Sequence, residues 1–232
     1  MSEPVLIAGL PGSGKSRWIA AQPEPSWLQE WHDDTLPAAR AVWWVLDLRQ
    51  PLDETIKTVL TSCLQRADAL IGHFAEESPI ETQMRWREFL APLKKSGTPL
   101  YFSHFLQPPP PDFPRTSSKA ACSCGWPRRT GVIVQLPTVV LDHLLFVFQG
   151  LEQSTPMRFW RIKGVVQTLE YANAVAIEGS LSGLYTHAAA IKDGPVGRLI
   201  MQVENLDLER LSEALQAVRA PGEDVDIEVI SE

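Results

Sequence analysis

Residues 9 to 16 read Gly-Leu-Pro-Gly-Ser-Gly-Lys-Ser, a complete Walker A phosphate loop, directly after the apolar run Val5-Leu6-Ile7-Ala8. A buried strand, a glycine-rich turn and a helix starting near Lys15 are what this octapeptide requires. Gly9, Gly12 and Gly14 let the backbone curl so that successive N–H groups, that of Ser13 among them, point inward at an anion. The helix N-terminus adds its partial positive charge. Lys15 supplies a cation for the outer phosphates, and Ser16 a hydroxyl for Mg²⁺. The loop therefore implies binding of a nucleoside triphosphate, with Lys15 in the catalytic position.

Beyond the loop, the first half alternates apolar runs with helical stretches, the pattern of a parallel α/β sheet. Strands are expected at 41–46, 69–72 and 100–103, with helices near 52–66 and 80–95. Pro23 and Pro25 stop the first helix early. Asp47 ends a four-residue apolar run at a strand's carboxyl end, the Walker B position, where it would hold Mg²⁺ directly or through water. It is the second catalytic candidate.

Four prolines, Pro108 to Pro111, can continue neither a helix nor a ladder and favour an extended spacer. They divide the chain into a nucleotide-binding domain at 1–107, a linker at 108–130 and a second domain at 131–232. The second half reads strand, helix, several strands, helix. Strands are expected at 132–136, 158–166, 174–177, 184–191 and 198–203. Helices are expected after Thr138 and over 208–218, the latter capped by Asp207. That order describes a small α+β sandwich.

Composition excludes several classes. A net charge of −7 with a single dense basic spot, Arg128-Arg129, argues against a nucleic-acid partner. No apolar run reaches the ~18 residues of a membrane span. Three cysteines, two of them one residue apart, make no disulfide framework, so a reducing cytoplasm is the expected compartment. Cys63, among Val59, Leu60 and Leu64, reads as a core residue. Cys122 and Cys124 could grip a soft or borderline ion such as Zn²⁺, with His104 as a third ligand; two incidental thiols on a loop are the alternative. Asp33 and Asp34 are weaker acidic candidates near the phosphate loop.

Arg161-Ile162-Lys163-Gly164, on a strand preceded by a helix, resembles the opening of the C-terminal domain of the CobW-type proteins. These are P-loop GTPases related to metal-insertion chaperones. Val45-Leu46-Asp47 resembles the family's acidic strand end, and Ala67-Asp68-Ala69-Leu70-Ile71 its approach to the guanine-reading loop. The resemblance implies a P-loop parallel-sheet domain followed by a small α+β domain, binding GTP or ATP with Mg²⁺. It further implies hydrolysis in the service of metal homeostasis, with a metal ion and a client metalloprotein as partners. By position His73-Phe74-Ala75-Glu76 stands where the family carries Asn-Lys-x-Asp, which makes Glu76 the base acceptor and leaves His73 and Phe74 as departures. The span before Asp47 lacks the family's Cys-x-Cys-Cys motif, so the chain resembles a shortened member. A small-molecule or nucleotide kinase, and an interaction protein that keeps a phosphate loop without turnover, are the competing readings.

Overall fold

A computed structural model of the chain describes residues 4–31, 35–36, 40–102, 109, 113–136, 138–190, 193–221 and 224–230. His104, Asp33 and Asp34 lie outside the described residues. The chain divides into two compact units, Met1–Pro127 and Arg128–Glu232.

The first unit is a parallel α/β sheet. Its strands β1 (Val5–Ala8), β2 (Leu28–Glu30), β4 (Val42–Asp47), β5 (Ala69–His73) and β6 (Leu100–Phe102) lie in the order β2-β1-β4-β5-β6. Every residue of β1, β4 and β5 is buried. That double-sided burial is why they appear in the sequence as unbroken apolar runs, not as alternating ones. Helices α1 (Lys15–Ala20), α2 (Glu54–Arg66) and α3 (Ile80–Lys95) connect them. Asp53 caps α2, its Oδ1 accepting from the Ile56 N–H at 2.8 Å. Trp43 and Trp44 of β4 are each 1% exposed and belong to the core.

The expected spacer is not one over its whole length. Phe113 sets its ring edge-on against Trp43 at 5.2 Å, and the Trp43 indole N–H donates to the Pro114 carbonyl at 2.7 Å. Ser117 Oγ donates to Asp68 Oδ1 at 2.8 Å. Asp68 in turn pairs with the buried Arg66 at 2.9 Å and accepts from the Val42 N–H at 2.9 Å. Cys122–Ser123 forms strand β7, antiparallel to β3 (Thr35–Leu36), and Trp126 stacks on Trp44 at 6.3 Å. Aromatic burial and one ion-pair network thus tie 113–127 to the first unit. Proline content alone does not reveal those anchors.

The second unit is an antiparallel six-stranded sheet in the order β11-β10-β9-β12-β8-β13. Its strands are β8 (Arg129–Gln135), β9 (Arg158–Val166), β10 (Val175–Ser180), β11 (Gly183–Ala188), β12 (Arg198–Glu204) and β13 (Asp226–Ile230). Helices α4 (Leu141–Ser154) and α5 (Leu208–Gln216) contribute Leu144, Phe148, Leu211 and Leu215 to a core with Val132, Ile162, Ile177 and Met201. Asp207 caps α5 through the Arg210 N–H at 3.1 Å. β13 was unexpected: Asp226 and Glu228 alternate with apolar residues on an edge strand, and such charges deter further pairing. Arg161 and Lys163 lie on β9. Arg161 donates to the Gly179 carbonyl of β10 at 3.1 Å, a sheet-internal role. The fold class is the expected one, a parallel α/β unit followed by a small α+β unit. Among the described residues no helix is long and apolar enough to cross a membrane.

Candidate functional site

The phosphate loop leaves β1 at Gly9 and enters α1 at Lys15. A Cβ on Gly9 would lie 2.5 Å from the Val45 carbonyl oxygen, so only glycine lets the loop pass β4 that closely. Gly14 has φ +84° and its absent Cβ would fall 2.6 Å from His73 Nδ1. Both requirements are legible in the octapeptide; their partners are not.

Lys15 is only 8% exposed, and its ammonium donates to the Gly9 carbonyl at 2.9 Å and the Leu10 carbonyl at 3.2 Å. The loop thus curls around its own cation. Ser13 is 1% exposed, and its buried Oγ has no hydrogen-bond partner among the described residues. A buried hydroxyl left unsatisfied costs roughly 1–3 kcal/mol, and such costs concentrate at sites that acquire a partner.

Ser16 Oγ donates to Glu30 Oε2 at 2.6 Å, and Glu30 Oε1 stands 4.0 Å from Lys15 Nζ. Glu30 ends β2, which pairs in parallel with β1 so that Glu30 lies opposite Ile7. The carboxylate beside the Walker serine therefore comes from the strand on the far side of β1 from β4. Sequence reasoning missed it because Leu28-Gln29-Glu30 is too short and too polar to read as a strand. An acidic residue ending any short run after the loop was the only available signal.

Asp47 ends β4 in the expected place, 3% exposed, but its carboxylate is held by Arg49. The guanidinium donates to both oxygens, Nε to Oδ1 at 3.0 Å and Nη2 to Oδ2 at 2.9 Å. This fork geometry is the strong form of the pair. Arg49 also reaches Glu77 at 2.8 Å and lays its guanidinium 3.6 Å above the Phe74 ring.

His73 and Phe74 stand over the phosphate loop. Their rings stack at 3.7 Å and 24°, and His73 Nδ1 lies 3.3 Å from the Ser13 carbonyl. A carbonyl can only accept, so the proton belongs on Nδ1. Burial pushes the imidazole below its ordinary pKa of 6.5, opposed by the Ser13 carbonyl and Asp47 and assisted by Arg17 and Arg49. Phe74 takes φ +60°, an uncommon conformation for an aromatic residue. Arg49, Phe74 and His73 thus form a three-layer stack against the phosphate loop. Glu76 follows in a single helical turn and is exposed. With Ala75, Gln83, Trp86, Arg87 and Phe102 it lines a cavity of about 270 Å³ at the carboxyl ends of β5 and β6.

Two of the three Zn²⁺ candidates, Cys122 and Cys124, lie among the described residues. Cys122 sits in strand β7 and Cys124 is 1% exposed, packed beneath α2, so the pair is not on an open loop. Among the described residues no three or more His, Cys, Asp and Glu side chains are grouped to hold a metal.

No protein-family model matches the chain. No curated protein matches it. Two of the solved structures that resemble it weakly are the following. One is a Zn(II)-bound triple mutant of the YjiA GTPase, at 13% identity and a TM-score of 0.33 over 90% of this chain and 68% of that one. The other is the Zn(II)-bound YjiA GTPase from E. coli, at 14% identity and a TM-score of 0.32 over 83% of this chain and 63% of that one. Similarity at this level leaves the reading of the site to the chain's own geometry.

Proposed function

We propose that the first unit binds a nucleoside triphosphate with Mg²⁺ at Gly9–Ser16 and hydrolyses it. The observation that carries this is the convergence of Lys15 and Ser16 of the loop on Glu30 of β2, with Ser16 Oγ 2.6 Å and Lys15 Nζ 4.0 Å from its carboxylate oxygens. A phosphate would take Lys15 from the Gly9 and Leu10 carbonyls and offer the buried Ser13 hydroxyl an acceptor. Ser16 and Glu30 would hold the cation, a hydroxyl and a carboxylate being the hard oxygen donors Mg²⁺ selects. Bound there, the cation would neutralise phosphate charge. His73, neutral and donating to the Ser13 carbonyl, holds the peptide that presents the loop's N–H groups. The cavity beside Glu76 would seat the base, with the Glu76 carboxylate as acceptor. His73 and Phe74 stand where the resembling family carries the Asn and Lys of its guanine-reading fork, so GTP and ATP should bind within about tenfold of each other.

Calorimetry with GTP and ATP on the parent and on Lys15→Ala tests the reading. The variant should lose at least about thirtyfold in affinity, the equivalent of roughly 2 kcal/mol for lost charge-assisted bonds, with an unchanged circular dichroism spectrum. Equal affinity in a folded variant removes the proposal. Delivery of a metal to a client protein is the finer part of this reading and rests on the resemblance of the second unit alone. Metal analysis of the purified protein, with and without nucleotide, tests it.

A further inference from the structure

The two edges of the second unit's sheet are unlike. β13 carries Asp226 and Glu228, whereas β11, Gly183-Leu184-Tyr185-Thr186-His187-Ala188, has no carboxylate, ammonium or guanidinium along its length. Natural sheets guard an exposed edge with such charges, because the unpaired N–H and C=O groups of an unguarded edge recruit another strand. Leu184 is half-buried and the rest of β11 is exposed, and β10 is the one strand paired with it among the described residues.

Which groups β11 offers follows from its hairpin. Ser180 faces Gly183 across the two residues Leu181 and Ser182, and the register continues through Glu178–Tyr185 and Ala176–His187. The closing pair of a two-residue hairpin is hydrogen-bonded, and the bonding repeats at every second residue. Ala189, two residues beyond His187, keeps that alternation by donating to the Ala174 carbonyl at 3.0 Å. Gly183, Tyr185 and His187 therefore bond to β10, while Leu184, Thr186 and Ala188 turn their N–H and C=O groups outward. These three lie symmetrically about Thr186. An antiparallel copy of β11 centred there sets Thr186 against Thr186 and each Leu184 against an Ala188. Every such pair exchanges two hydrogen bonds, about six in all. Facing residues share one side of the pleat, so the helices of both copies stay on one side of the joined sheet.

The side chains fit the same partner. Leu184 packs against the core that α4 and α5 cover, so Leu184, Thr186 and Ala188 share the helix side. Ala188 lines a cavity of about 320 Å³ with Leu141, Tyr171, Ala174, Val175 and Thr186, a mostly apolar wall for the leucine of a second copy. On the opposite side Tyr185, 40% exposed, comes against His187 at the closer, non-hydrogen-bonded spacing that favours aromatic pairs.

We propose that the second unit joins a second copy of the chain in a two-fold dimer, with the β11 strands antiparallel about Thr186 and the two sheets continuous. The self-match about Thr186 and the match of Leu184 to the cavity select a second copy over an unrelated strand.

The test is sedimentation equilibrium on the full, nucleotide-free chain from about 1 μM to about 200 μM. The mass should pass from one chain to two with a dissociation constant on the order of 10 μM, as suits a contact near the small end of specific interfaces. Thr186→Lys sets two ammonium groups against each other at the two-fold axis and should weaken association at least about tenfold, with an unchanged circular dichroism spectrum. Thr186→Pro removes an outward donor, not one bonded to β10, and should leave only single chains. Glu228→Lys, on the other edge, should leave the constant within about twofold of the parent's. In the parent itself, hydrogen exchange at the outward amides of Leu184, Thr186 and Ala188 should slow as concentration rises. A parent that stays a single chain throughout, a dimer that survives both Thr186 substitutions in folded protein, or exchange that ignores concentration would each overturn the proposal. Equal weakening by Glu228→Lys would overturn it too, by moving the association to β13.

Discussion

Ser16 and Glu30 share a hydrogen bond of 2.6 Å between the first turn of α1 and the end of β2. The same carboxylate stands 4.0 Å from the Lys15 ammonium, so one acidic residue addresses both functional side chains of the phosphate loop. Asp47, two strands away across the sheet, addresses Arg49.

That arrangement separates two carboxylates by experiment. Glu30→Gln keeps the shape and a bond to Ser16 but removes the charge. The Mg²⁺ concentration needed for half-maximal nucleotide binding should rise about tenfold, near 1.4 kcal/mol. Asp47→Asn should shift it by less than about twofold, since Asp47 answers to Arg49. Calorimetric titrations at graded Mg²⁺ read both variants. The reverse ranking would assign the cation to Asp47.

Gly14→Ala should be costly twice over. The new methyl meets His73 Nδ1 at 2.6 Å, and φ +84° is unfavourable for alanine. A loss of about 2 kcal/mol is expected in urea unfolding. Adding His73→Ala clears the clash and leaves the backbone strain, so the double variant should cost less than the two single losses added together. Strict additivity would show that the imidazole does not press on Gly14.

Stability should fall on mild acidification through His73. Its pKa is lowered in the folded state, chiefly by burial, while the unfolded chain titrates near 6.5. Above pH 6.5 both states are neutral at this group and its contribution is fully present. Below 6.5 the unfolded chain takes a proton that the folded protein refuses, and the contribution is lost as pH falls toward the folded value. Facing groups are the Ser13 carbonyl and Asp47, which favour the proton, and Arg17 and Arg49, which oppose it. The slope can reach about 1.4 kcal/mol per pH unit. Urea midpoints between pH 7.5 and 5 should fall less steeply in His73→Gln than in the parent.

Asp68 carries the attachment of the 113–127 segment. It pairs with Arg66, whose side chain is 1% exposed, and it also receives Ser117 and the Val42 N–H. Asp68→Ala would strand a buried guanidinium, at a cost of roughly 3–5 kcal/mol. The urea midpoint should drop accordingly, and limited proteolysis should open first between Phe113 and Trp126. Cleavage elsewhere would place the weak point outside this network.

Local chemistry determined a good part of this protein. The octapeptide at Gly9–Ser16 specified a strand, a tight turn and a helix, because no other arrangement uses its glycines, lysine and serine together. Unbroken apolar runs marked β4 and β5, a helical stretch marked α2, and periodicity with a cap at Asp207 marked α5. What only the tertiary structure decided was which groups meet. Glu30 reaches Ser16 because a three-residue polar strand adds to β1, and pairing of that kind leaves no periodic trace in so short a run. His73 and Phe74 close over Gly14 because β5 ends two strands from β1 and a left-handed residue turns the chain back. The segment after the prolines folds onto the first unit through Phe113, Pro114, Ser117 and Trp126, with Ser117 meeting Asp68 across 49 residues and Pro114 meeting Trp43 across 71. Cys63 of α2 reaches the Cys124 carbonyl by the same kind of long-range packing. Residue type and spacing set what each segment can do, whereas these meetings depend on burial and strand order, which belong to the whole chain.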